Sequence, residues 1–180
     1  PPREDASCPY FWPIGNRYIF LFFSHTTGSQ YLLGDYNKEE HCFYPTFHGR
    51  FNFMSFLPGG VHAPSATSDG KGGVIVIHNM HTGKKSPGWR GITTLPRKLT
   101  LDKCDTINIQ PYGDYKSLRT HHQHIDKTHL PANKEIIIDN IQGNALEIKA
   151  EINIKSSPMI EMNVLRSPDK EEFTSIKFFK

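Results

Sequence analysis

The run Tyr18-Ile19-Phe20-Leu21-Phe22-Phe23, set directly behind the turn pair Gly15-Asn16, decides the fold class. A short, continuous apolar stretch after a turn reads as a strand buried on both faces. Outward from it the pattern repeats. Residues 30–33 form a second strand, ended by Gly34-Asp35, and residues 42–47 a third, ended by His48-Gly49. Strands at roughly ten-residue spacing, separated by turn signals, are the rhythm of an antiparallel meander. Helix signals are almost absent, because no long window places apolar residues at i, i+3, i+4 and i+7 between caps.

The same texture recurs downstream. Residues 62–67 lead into Asp69-Gly70-Lys71-Gly72-Gly73, a stretch rich enough in glycine to be a turn. Residues 74–77, 92–95, 99–101 and 106–109 then read as strands. One four-stranded unit is expected over about 8–53 and a second over about 61–110. Repeats of ~40–50 residues with four short strands each are the footprint of propeller blades.

Beyond Tyr112 the character changes. Residues 116–132 are polar and histidine-rich and read as a linker. From Asn133 the alternation becomes strict: Leu146, Ile148, Ala150, Ile152 and Ile154 point one way, and Glu147, Lys149, Glu151 and Asn153 the other. Segments 135–138, 160–165 and 174–178 look like its partners. The expected organisation is a partial propeller over 1–115, a linker over 116–132 and the start of a β-sandwich over 133–180. That last segment is shorter than the ~100 residues of a seven-stranded sandwich.

Composition narrows the function. The chain has 180 residues, 37% hydrophobic and 22% charged, a globular balance. Fourteen glycines and 13 prolines fit a turn-rich, all-β chain. The net charge of +3 is spread among interspersed Lys, Arg, Asp and Glu, so no basic nucleic-acid surface is expected. No apolar run reaches the ~18–20 residues of a membrane helix. Cys8, Cys42 and Cys104 are widely spaced and read as buried thiols acting as small apolar residues. The ends, Pro1-Pro2 and Phe178-Phe179-Lys180, read as cut, so a piece of a longer protein is expected.

Several segments, in this order, resemble glycoside hydrolase family 32, the β-fructofuranosidases, invertases, inulinases and levanases. Cys8-Pro9-Tyr10-Phe11 resembles the family's Glu-Cys-Pro-x-Phe segment. Gln30-Tyr31-Leu32-Leu33-Gly34-Asp35-Tyr36 resembles its Tyr-x-x-Gly-x-Tyr-Asp strand, and Val61-His62-Ala63-Pro64-Ser65-Ala66-Thr67 its Phe-Tyr-Ala-x-Gln-Thr segment. Gly88-Trp89 followed by Thr94-Leu95-Pro96-Arg97-Lys98-Leu99 resembles Gly-Trp … Leu-Pro-Arg-x-Leu. Gln110-Pro111 through Ser117-Leu118-Arg119 resembles the exit from the propeller, and Gly143-Asn144-Ala145-Leu146-Glu147-Ile148 the first sandwich strands. The resemblance implies the last two blades of a five-bladed propeller followed by an incomplete C-terminal sandwich. It implies a retaining glycosidase acting on a fructose-containing oligo- or polysaccharide, with no cofactor. The family's nucleophile segment, Trp-x-Asn-Asp-Pro, and its Arg-Asp-Pro segment do not occur here. The implied partner is therefore the N-terminal half of the same propeller, and the chain alone is expected to be inactive.

Retaining glycosidases use two carboxyl groups about 5–5.5 Å apart, one attacking and one protonating the leaving oxygen. The family's acid/base is the Glu directly before Cys-Pro, where this chain has Ser7. Glu4 is the first candidate for that role, re-aimed by a bulge, and Asp5 the second. The competing reading makes both solvated charges. Trp89 is either an apolar wall against the sugar or a core tryptophan between blades. His62 either hydrogen-bonds substrate or is structural. Trp12 is expected in the core, and Arg97 to lock its blade rather than touch sugar. His121, His122, His124 and His129 show no ligand spacing, and no metal is expected. Gly70-Lys71-Gly72-Gly73 lacks the phosphate-loop pattern. The alternative function is a non-catalytic or decayed carbohydrate-binding propeller module; a general propeller scaffold for protein partners is a third.

Overall fold

The computed structural model describes residues 5–51, 59–82, 87–89 and 91–180. It is all-β: among the described residues the one helical element is a single 3-10 turn, Tyr115–Leu118. The chain divides into two compact units, Pro1–Tyr115 and Lys116–Lys180.

The first unit holds two antiparallel sheets. β1 (Ser7–Ile14), β2 (Arg17–Ser24), β3 (Gly28–Asn37) and β4 (Cys42–Arg50) form a four-stranded meander in chain order. β5 (Gly59–Ser68), β6 (Val74–Thr82), a two-residue β7 (Ile92–Thr93), β8 (Arg97–Leu101) and β9 (Ile107–Pro111) form the second. Its order is β5-β6-β8-β9, with β7 also paired to β6. The two repeats expected from the sequence are therefore present as successive four-stranded antiparallel sheets, with β7 an added short rung.

β2 shows how the sequence produces this packing. Its register alternates: Ile19 and Leu21 are fully buried and meet Ile14 and Leu33 of their own sheet. Val74, Val76 and Leu99 of the second sheet complete that core. Trp12 packs against it, and its indole N–H donates to the Ala66 carbonyl of β5 at 3.2 Å. The other side of β2 is aromatic rather than aliphatic. Phe11, Tyr18, Tyr36 and Phe43 interlock at ring separations of 5.2–5.4 Å, edge-on or offset as ring quadrupoles prefer. Phe11 stays 38% exposed, so this outer face is only half-buried.

Two turns join the sheets. The Gly15 N–H donates to the Gly72 carbonyl at 2.8 Å. Both glycines have positive φ, 58° and 84°, a conformation that costs L-residues and not glycine. Three bulges interrupt the ladders: one extra residue between Ser7 and Tyr10 on β1, one between His62 and Pro64 on β5, and Thr46 on β4 opposite Leu33 and Gly34. Cys8 and Ala63, inside the first two, hold φ of 51° and 27°, strain that the surrounding ladder enforces.

The second unit differs from the sequence expectation. β10 (Met159–Val164) and β11 (Thr174–Phe179) form a hairpin, close to the expected 160–165 and 174–178. Segments 135–138 and 146–154 join no ladder. Leu146, Ile148 and Ile152 are exposed, so the alternation has no apolar layer to close against. A strand is stabilised by its cross-strand neighbours and buried face, and both are missing there. The cysteines also differ: Cys8, Cys42 and Cys104 are all exposed rather than buried. Each sits where the ladder is irregular or ends: in the β1 bulge, at the first residue of edge strand β4, and in the β8–β9 turn.

Candidate functional site

Of the sequence candidates, Asp5 lies where β1 begins and β2 ends. Glu4 lies outside the described residues. Asp5, next to it in the chain, accepts a hydrogen bond from the Ser7 hydroxyl at 2.9 Å and another from the His25 backbone N–H at 2.9 Å. The His25 ring Nδ1 also meets the Asp5 carboxylate. These contacts, the His25 side chain first, hold the Asp5 carboxyl far below the usual carboxylate range. Asp5 is thus a fixed anion at neutral pH. That suits a charge or an acceptor and opposes a proton-donating role. Ser7 donates to the carboxylate rather than to an imidazole, so these three side chains do not make an activated serine.

His25 is held by the architecture of the β2–β3 turn. The Ser24 Oγ accepts from the backbone N–H of Thr26 and Thr27 at 3.2 and 3.3 Å, a local bonding pattern typical of Ser in turns. The Gln30 amide donates to the Thr27 hydroxyl at 2.6 Å, and its carbonyl oxygen lies 2.6 Å from His48 Nε2. An amide oxygen only accepts, so His48 carries its proton on Nε2. Gln30 and Ser24 are fully buried, which makes this turn a firm platform rather than a loose loop.

From His25 the cluster continues inward. The Phe23 ring meets His25 edge-on at 4.8 Å and meets His62 at a tilt, also at 4.8 Å. His62 is buried, at the β5 bulge. The structure therefore brings Asp5 and His62 into one cluster through His25 and Phe23. Trp89 stands in the connection between β6 and β7 and is 51% exposed, outside the core. That connection leads to Thr93, which pairs with Asn79, the residue opposite His62. Arg97 pairs with Val76 and Pro111 inside the second sheet.

Two other residues carry perturbed chemistry. The Asp69 side chain is 2% exposed and reaches the Lys98 ammonium at 2.6 Å. Its other oxygen accepts from the Lys71 and Gly73 N–H groups at 2.7 and 2.8 Å. These bonds lower its pKa to about 2. The Lys71 and Gly73 amides of the glycine-rich turn are thus engaged by the chain's own carboxylate, and the Gly70 N–H by the Ser68 hydroxyl at 3.1 Å. His78, on β6, is fully buried, and burial with the nearby Arg97 charge lowers its pKa to about 4.

In the second unit, His124 lies 3.5 Å from Asp126, both largely exposed. Among the described residues no three His, Cys, Asp or Glu side chains gather as a metal site.

Sequence reasoning missed His25 and Phe23. Part of the signal was available: counting outward from the Gly15-Asn16 turn sets the start of β1 beside the end of β2, with Ser7 opposite Ser24, and the β1 bulge, which the sequence does not mark, moves Ser7 opposite Phe23. No family model matches the chain, and no curated protein matches it.

Proposed function

We propose that this chain is the acid/base-bearing part of a retaining β-fructofuranosidase of the glycoside hydrolase family 32 type, acting on sucrose, levan or inulin. In this reading the two four-stranded sheets are neighbouring blades of a five-bladed propeller, and residues 133–180 open a β-sandwich. The observation that carries the reading is where the family-like segments fall. Cys8-Pro9 starts the first sheet, Gln30–Tyr36 lies in its third strand, Val61–Thr67 starts the second sheet, and Leu95-Pro96-Arg97 leads into β8. Equivalent segments at the start of successive sheets are what one repeated blade design produces.

Glu4 protonates the leaving oxygen and then takes a proton from water; the attacking carboxylate comes from a polypeptide segment outside these 180 residues. Asp5, held as an anion by His25 and Ser7, does not donate the proton, which leaves the acid role to Glu4. Trp89 offers an exposed ring face to a sugar.

The test uses the full-length gene product with Glu4→Gln, assayed on sucrose and on an aryl β-fructofuranoside with a good leaving group. Loss of the acid should lower turnover of sucrose by roughly 10²–10⁴-fold and that of the aryl fructoside far less, since its leaving group needs no proton. Unchanged sucrose turnover, or equal loss on both substrates, refutes the assignment. Fructan binding without turnover by the unaltered protein favours the non-catalytic module, a reading to which the locked Asp5 anion gives some support.

A further inference from the structure

Every buried polar side chain needs a partner or a reason to lack one, because the loss of water is otherwise uncompensated. His78 has neither in the site described above. It is fully buried on β6, and among the described residues neither ring nitrogen has a hydrogen-bond partner. Its backbone is well held: its N–H meets the Thr94 hydroxyl at 3.1 Å, and its carbonyl accepts from the Thr94 N–H at 2.8 Å. The ring alone is unsatisfied.

Its position gives that ring a mechanical role. In the β6 alternation His78 follows Val74 and Val76, the residues with which the second sheet contributes to the shared core. The ring packs against Phe51 at 5.0 Å. Phe51 belongs to the first sheet's side, since its N–H donates to the Ser29 carbonyl of β3 at 3.0 Å and its ring packs on Tyr31 at 5.2 Å. The His78–Phe51 contact thus bridges the two sheets.

The charged and titratable surroundings offer no relief to a protonated ring. β5 sets Pro64 opposite it and carries His62 beyond the bulge. β8 brings Arg97, opposite Val76, whose positive charge opposes a second one, and Lys98, which is engaged by Asp69. The first sheet offers the neutral Phe51 and, behind it, Tyr31, whose hydroxyl titrates only in base. No carboxylate faces the ring among these elements.

We propose that His78 is an acid-release latch between the two sheets of the first unit: neutral, it lets them close on one core, and protonated, it drives them apart. The proton taken up on opening is the only chemical change, so release reverses when the pH is raised. The sign is fixed by the direction of the shift. The closed form holds His78 neutral down to about pH 4, against 6.5 for an ordinary histidine. In that window the open form binds a proton that the closed form does not, so closure weakens as pH falls. The closing constant drops toward tenfold per pH unit, roughly 100-fold between pH 7 and 4.5.

The experiment is urea unfolding of the full chain in a Trp89→Phe background, followed by Trp12 fluorescence, at pH 7 and pH 4.5, with His78→Leu and His62→Gln beside the chain that keeps both histidines. The chain with both histidines and His62→Gln should lose roughly 100-fold in the folding constant on acidification, and His78→Leu less than about tenfold of it. Equal losses in all three chains, or a loss abolished by His62→Gln, overturns the proposal. Should His78→Leu not fold, imidazole NMR of the unaltered chain decides the matter. A ring that stays neutral until the fold opens supports the latch, and one that titrates near 6.5 inside the intact fold overturns it.

Discussion

Truncating Leu99 to alanine probes whether the two sheets share one core. Leu99 is fully buried on β8, and its neighbours in the core include Ile14, Ile19, Leu21 and Leu33 of the other sheet. Leu99→Ala removes three carbons, about 2.4 kcal/mol at roughly 0.8 kcal/mol per buried methylene. The cavity left behind raises the cost to about 3–4 kcal/mol, inside the usual range for buried Leu→Ala. The folding constant should then fall roughly 100- to 1,000-fold, since every 1.4 kcal/mol is tenfold. Urea unfolding at pH 7 in a Trp89→Phe background reads this out, because emission then comes from Trp12, on the first sheet. The indole of Trp12 bonds Ala66 on the second, so a cut made in β8 should move the Trp12 transition and the far-UV dichroism together. A cost below about 1 kcal/mol, or a Trp12 transition that stays in place while the dichroism shifts, refutes the shared core.

Gly34→Ala should abolish stable folding, because a Cβ there would stand 2.2 Å from the Tyr44 carbonyl oxygen and 2.8 Å from the Pro45 Cα, neither of which can yield. Gly70→Ala, with open space but a φ of +72°, should cost only about 1 kcal/mol; thermal melts of both chains check the contrast. Asp69→Asn should lower the urea midpoint at neutral pH. Because the carboxyl is held to about 2 against an ordinary 3.8, its contribution is complete above 3.8 and fades as pH falls toward 2. The two chains' midpoints should therefore converge over that interval, and a constant gap would contradict the ion pair with Lys98.

Much of the first unit was legible in the sequence because each strand there carries its own boundaries. Gly15-Asn16, Gly34-Asp35 and Asp69–Gly73 mark the turns, and 18–23 and 74–77 mark the strands between them. The detail inside β2 was less so. An unbroken apolar run says that both faces are dry. It does not say that Ile19 and Leu21 pack on aliphatic residues while Tyr18 and Phe20 join an aromatic face. Alternation over 146–154 failed as a strand signal for a related reason. It records which side seeks burial, but strand formation also needs a neighbour to bond and a layer to cover Leu146 and Ile148. The exposed cysteines follow from local backbone events, a bulge and a turn, that composition does not record. At the candidate site, Asp5 was legible as a carboxylate near Cys8-Pro9, but its ion pair with His25 arises from the β1–β2 register. His78 gave no signal at all, since a histidine within a strand looks the same in sequence whether its ring meets water or Phe51.

The fructosidase reading is tested most directly by the stereochemistry of the reaction. The full-length gene product would be given sucrose in water containing methanol, and the anomer of the methyl fructofuranoside first formed would be read by NMR. Two carboxyl groups acting in turn through a covalent fructosyl-enzyme predict the β-methyl product, with the configuration retained. An α-methyl product, or no fructosyl transfer from sucrose, levan or inulin at all, would contradict the account.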